Sequence, residues 1–142
     1  MPYEKISRKT DFIIKKLTYL LENKPSDLAE FKTYETTQMA ILYAIHTAIE
    51  ALIDIVIIIE TKQNGNKYIG DYEKFTALFE NGFINEDVYD GLRRLNGLRN
   101  AVVHAYDSLT IDEIYDNYEK IIHDIATITE SLCEKYDHSP DL

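Results

Sequence analysis

The stretch Arg99-Asn100-Ala101-Val102-Val103-His104-Ala105-Tyr106 sets a fixed cation, an amide, an imidazole and a phenol at the end of an apolar helical run. A guanidinium can offer two parallel N–H donors to a phosphate, and an imidazole gains and loses a proton near neutral pH. Metal-free cleavage of RNA needs a base for the 2′-OH proton, an acid for the leaving 5′-oxygen and a cation for the charge on phosphorus. Arg99 has the chemistry of the cation, and His104 that of either proton carrier. One motif histidine per chain leaves a proton role unfilled; two His104 side chains facing each other in a homodimer fill both most simply. Five residues advance about 500° around a helix, so Arg99 and His104 point about 140° apart on a regular one. Asn100 and His104 share a face, as do Arg99 and Tyr106. A cleft between two copies of this helix lets both faces contribute.

The elements that must carry these residues read as an all-α, up-and-down bundle of about four to five helices in a single domain over residues 1–142. Ile13, Leu17, Leu20 and Leu21 give a first helix from about Ser7 to Glu22, stopped at Asn23-Lys24-Pro25 because proline cannot continue the hydrogen-bond ladder. Asp27 with Glu30 has the spacing of a capping box for a short lead-in helix. The second long helix, about Tyr34 to Lys62, is nearly all apolar from Met39 to Ile59. Its length would cross a bilayer, but His46, Glu50 and Asp54 inside the run argue against that. These three recur every fourth residue and so draw one polar line down the helix. It is either a narrow solvated stripe or one wall of a cleft, and the spacing favours neither. Asn64-Gly65-Asn66 marks a loop, Asp71 is expected to cap a short helix through Phe79, and Asn85 to cap the helix with Val88, Leu92, Leu95, Leu98 and Val102 on its packing face. After a break at Asp107-Ser108-Leu109, Thr110 and Glu113 form a second capping box. Ile111, Ile114, Tyr118, Ile121, Ile125, Ile128 and Leu132 then predict one continuous final helix. Residues 136–142 read as a frayed polar tail.

Composition narrows the class. Hydrophobic residues make up 45% of the chain with only 5 Gly and 3 Pro, which suits a helical globule and excludes a disordered or turn-rich one. The single cysteine, Cys133, cannot form an internal disulfide, and no signal-like segment opens the chain, so a cytoplasmic location is expected. A net charge of −10 opposes wholesale nucleic-acid binding, yet Arg93, Arg94 and Arg99 gather just before His104. That is a local basic cleft for a few phosphates on an acidic body. Gly-rich phosphate loops, Cys-x2-Cys pairs and serine nucleophile motifs are absent from the sequence. His46, Glu50, His104 and His123 amount to a chance metal set at most, so no metal or other cofactor is expected; His123 and His138 are read as structural.

The pattern Arg-Asn-x3-His-x-Tyr, at the end of a helix and before a final long helix, resembles the signature of the HEPN superfamily, and more narrowly of HepT-type ribonuclease toxins. The resemblance runs from the first helix through the final heptads. It implies a dimeric endoribonuclease toxin of a toxin–antitoxin pair, with Arg99 and His104 catalytic and Asn100, Glu50 and Asp54 in support. Its partner would be an MntA-like nucleotidyltransferase antitoxin that silences it by adding AMP to Tyr106, bringing negative charge and bulk into a phosphate-binding cleft. RNA is the implied substrate, transfer RNA by resemblance only; neither DNA nor a membrane is an expected partner. A non-catalytic helical module that binds nucleotides or docks a nucleotidyltransferase is the alternative. In it Arg99 and His104 hold phosphate without turnover.

Overall fold

The computed structural model describes residues 2–65, 67–103 and 108–137. These form α1 (Pro2–Glu22), α2 (Leu28–Thr33), α3 (Glu35–Asn64), α4 (Asp71–Glu80), α5 (Glu86–Val103), α6 (Ser108–Asp116) and α7 (Tyr118–Asp137), with no strand among the described residues. The long helices α1, α3, α5 and α7 make the bundle, and α3 is its axis. Helices α1, α2, α4, α5 and α7 all pack against α3. That explains why it is apolar on nearly every side: Ile41, Ile45, Ile49, Leu52, Ile55, Val56 and Ile59 are each 0–1% exposed. Burying a side chain of that size is worth roughly 1.5–3 kcal/mol, so α3 is the largest single contributor to the core. By length and composition α3 could cross a membrane. Here its five neighbours cover most of that apolar surface, while Met39 and Tyr43 near its start stay exposed.

Each helix end has a local cause. Asp27 Oδ1 accepts from the Glu30 amide at 2.8 Å, and Glu30 Oε2 accepts at 3.3 Å from the amide of Ser26, one residue before the cap, a shifted form of the capping box that opens α2. Gly65 closes α3 at φ 67°, where a side chain would be strained. Asn85 Oδ1 accepts from the Val88 amide at 2.9 Å and caps α5. Between α5 and α7 the Ile128 side chain packs onto the bare Cα of Gly91, where an added Cβ would lie 2.7 Å from Ile128 Cδ1.

Three details depart from the sequence expectation. The final helix is broken at Asn117, whose side-chain amide donates to the Glu113 carbonyl at 2.8 Å; this local back-bond separates α6 from α7. Tyr118 then starts α7 and is buried, its hydroxyl donating to the Leu20 carbonyl, one of the orphan acceptors at the end of α1. Leu21 is 66% exposed rather than part of the α1 packing face, which consists of Ile6, Ile13, Leu17 and Leu20. Helix α7 continues to Asp137 with Tyr136 buried, so the first two residues expected in a frayed tail are helical; residues 138–142 lie outside the described ones.

Candidate active site

Three helices meet at Arg99. It lies one turn before the end of α5, and its side chain is only 16% exposed. Nη1 donates to Glu50 Oε1 of α3 at 3.1 Å, and Nη2 donates to Asp71 Oδ2 of α4 at 3.3 Å. Two nitrogens of one rigid planar fork are thus held by carboxylates from two other helices, which fixes the plane of the guanidinium. A guanidinium has five N–H donors, so this clamp leaves N–H groups unused, while the two carboxylates together outweigh its single positive charge.

Glu50 is shared. Its second oxygen, Oε2, lies 3.2 Å from His46 Nε2 one turn earlier on α3. His46 Nδ1 is buried with no hydrogen-bond partner among the described residues. A proton on Nε2, donated to Glu50, leaves Nδ1 with its lone pair and avoids a buried unpaired donor. The order His46, Glu50, Arg99, Asp71 is therefore a continuous polar chain from α3 through α5 to α4.

Of the residues singled out in the sequence, the structure brings together Arg99 and Glu50. Asp54 does not join them: α1 carries Lys9 to within 2.9 Å of it, and that pair occupies the next turn of the polar line. Asn100 is exposed beside Arg99. His104 and Tyr106 lie outside the described residues, and α5 is helical up to Val103. Asp71 was expected to cap α4, but Gly70 occupies the cap position and Asp71 is the first helical residue, its carboxylate turned to Arg99. A carboxylate is stabilised there by the helix dipole, so the position suits both tasks. No spacing rule links it to a partner 28 residues away. Arg93 and Arg94 project away from the clamp. Arg94 approaches Asp124 of α7 at 3.8 Å, and the Arg93 guanidinium lies over the rings of Tyr72 and Tyr89. Among the described residues no group of three His, Cys, Asp or Glu side chains is placed to hold a metal ion.

A cation presented at a helix end, oriented by two carboxylates and followed five residues later by an imidazole, suits the handling of a phosphodiester. Comparison with known proteins points the same way. The family model described as HepT-like, ribonuclease HepT-like, matches residues 6–132. A candidate RNase of Archaeoglobus fulgidus is 33% identical over 106 residues, covering 75% of this chain and 74% of that protein. The mRNA nuclease HepT of Shewanella oneidensis is 30% identical over 99 residues, 70% of this chain and 74% of the relative. Among solved structures, the tri-AMPylated HEPN toxin of Shewanella oneidensis in complex with MNT antitoxin superposes with a TM-score of 0.79 at 25% identity, over 92% of this chain and 97% of that one. A mutant MntA–HepT toxin–antitoxin crystal structure gives a TM-score of 0.81 over 92% and 98%; at 24% identity it is a likeness of fold.

Proposed function

This chain belongs to the HepT-like ribonuclease family, and from that premise we propose that it is a metal-independent endoribonuclease, the toxin of a toxin–antitoxin pair acting in the cytoplasm. The observation that carries the reading is the Arg99 clamp, a half-sheltered cation held in a fixed plane by Glu50 and Asp71 five residues before His104. A scissile phosphate meets the remaining N–H donors of Arg99. One His104 takes the proton of the 2′-OH, the 2′-oxygen attacks phosphorus, and the P–O5′ bond breaks. A second His104, from the other copy in a homodimer, gives its proton to the departing 5′-oxygen. The products are a 2′,3′-cyclic phosphate and a 5′-hydroxyl, and Arg99 stabilises the charge that builds on the phosphoryl oxygens between them. DNA has no 2′-OH and cannot follow this route. Asn100, four residues before His104 in the sequence, orients it or the substrate. Tyr106 is the acceptor of AMP from a nucleotidyltransferase partner, which would fill the phosphate site with a competing anion; the AMPylated relative in complex with its antitoxin supports AMP transfer as the mode of control.

Purified protein incubated with RNA in EDTA tests this directly. Cleavage should leave cyclic-phosphate ends, and Arg99→Ala and His104→Ala should each lower the rate by about 10²-fold or more. Intact RNA, or cleavage that EDTA abolishes, would refute it. A protein that sediments as a monomer at catalytic concentrations would remove the second His104 from the mechanism.

A further inference from the structure

Helices α4 and α5, which supply Asp71 and Arg99 to the clamp, also carry a separate column of stacked side chains. At its base the Phe79 and Tyr89 rings are parallel, with centroids 4.8 Å apart. Tyr89 is held in that plane by a hydrogen bond between its hydroxyl and Thr76 Oγ1 at 2.9 Å. The Arg93 guanidinium carbon lies 5.6 Å from the Tyr89 centroid and 5.9 Å from that of Tyr72. Tyr72 ends the column; it is 46% exposed and rests edge-on against Phe75 at 82°. These aromatic faces hold Arg93 in place without using its N–H donors, and among the described residues no carboxylate pairs with it. Tyr72, Asp90, Arg93 and Arg94 line an open recess of about 460 Å³.

The position of this recess matters. Tyr72 directly follows Asp71, the residue that grips Arg99, and Arg93 lies six residues before Arg99 on the same helix. Six residues rise about 9 Å along α5 and turn about 600°, so Arg93 and Arg99 point about 120° apart and a strand must wrap partly around α5 to meet both. The rise is a few steps of a stacked strand at about 3.4 Å each. Three of the four arginines in a chain of net charge −10 fall in this short stretch of α5. A half-exposed aromatic ring, a cation with no carboxylate partner among the described residues and an arginine farther along the same helix are components with which proteins hold single-stranded nucleic acid: stacking for a base, charge for the backbone.

We propose that Tyr72 and Arg93 form a nucleotide subsite for single-stranded RNA flanking the scissile phosphate, in which a base stacks on Tyr72 and Arg93 binds a neighbouring phosphate. Asp90 on the rim offers an acceptor to base N–H and amino groups and disfavours phosphate on its own side. The inference rests on the ribonuclease reading above and adds to it the part of the substrate that is gripped but not cut.

The test measures binding of a short, uncleavable 2′-O-methyl RNA to the full chain by fluorescence anisotropy across a salt series. Tyr72→Leu should weaken binding about tenfold or more with the salt slope unchanged. Tyr72→Phe, which keeps the ring, should bind like the wild type. Arg93→Gln should weaken binding and lower the slope by about 0.7, one phosphate contact on a single strand. Both side chains are at the surface, so the melting temperatures of the three variants should stay put. If Tyr72→Leu and Arg93→Gln bind as the wild type does while Arg99→Ala binds worse, the subsite is overturned and the Arg99 reading stands. If the wild type binds no RNA, or Arg99→Ala changes nothing as well, both fall. If the two variants hold RNA normally but lose a nucleotidyltransferase partner, the recess is a protein contact and the proposal is wrong.

Discussion

Arg99 is held from two sides, and each hold should be measurable separately. Glu50→Gln and Asp71→Asn preserve shape but remove the charge that orients the fork, so each should lower kcat for RNA cleavage about tenfold or more with KM less affected; misplacement near 1 Å costs up to about 10²-fold. Arg99→Lys should not rescue Arg99→Ala. An ammonium is a point charge and cannot span carboxylates on α3 and α4 at once. The i, i+4 line on α3 marked Glu50 in the sequence without deciding between solvent and a cleft; its packing against α5 pairs it with Arg99. Asp71 was not, since an acid at a helix start reads equally as a cap. Asp54 stood in the same line as Glu50, but only the packing of α1 assigns it to Lys9, 45 residues away. Tyr118 gives a pH prediction. Burial pushes its phenol well above the ordinary tyrosine range, so the fold favours the neutral hydroxyl. The stability this provides is fully present below the unfolded pKa of about 10 and is lost as pH rises through the folded value. Urea titrations should show stability falling above about pH 10, and Tyr118→Phe should flatten that fall while costing roughly 1 kcal/mol at neutral pH through the lost bond to the Leu20 carbonyl.

Helix α4 reaches Arg99 because a buried ion pair pins it to α3. Lys74 Nζ lies 3.0 Å from Glu60 Oε2, with Glu60 0% exposed and its other oxygen accepting from Asn64 Nδ2 at 3.2 Å. Removing one partner strands a charge in the core. Lys74→Met should destabilise the protein by about 3–5 kcal/mol in chemical denaturation, and the double replacement with Glu60→Leu should recover most of that. Helix α5 offers the opposite case. Gly97 sits inside the helix with nothing within 4 Å of where a Cβ would be. Gly97→Ala should therefore raise stability by about 0.5–1 kcal/mol, read as a higher melting temperature. Most of the helix order was readable from punctuation: Pro25, Gly65, Asn85 and the Asp27–Glu30 box act through neighbours in sequence. The break at Asn117 was hidden because Ile111, Ile114, Tyr118 and Ile121 keep helical spacing straight through it. The Glu60–Lys74 pair was hidden because two charges in apolar runs look solvent-facing until their helices are packed together.

Across the whole molecule, acidic charge and a short arginine stretch divide the work of recognition. With Lys and Arg numbering 15 against 25 Asp and Glu, a long duplex meets more repulsion than attraction. An unpaired loop or end can place a few phosphates on α5 alone. Competition binding should show single-stranded RNA displacing a labelled oligonucleotide at concentrations where duplex of equal length does not, and equal displacement would contradict it. The apolar axis helix has a consequence for biogenesis. Until its neighbours close over it, α3 presents a nascent-chain segment with the length and composition of a bilayer span. Because α1, its partner along much of its length, is synthesised before it, a cover is already outside the ribosome when α3 emerges. Order of translation thus shields the segment from insertion machinery and from aggregation, a protection that chains refolded from denaturant do not have.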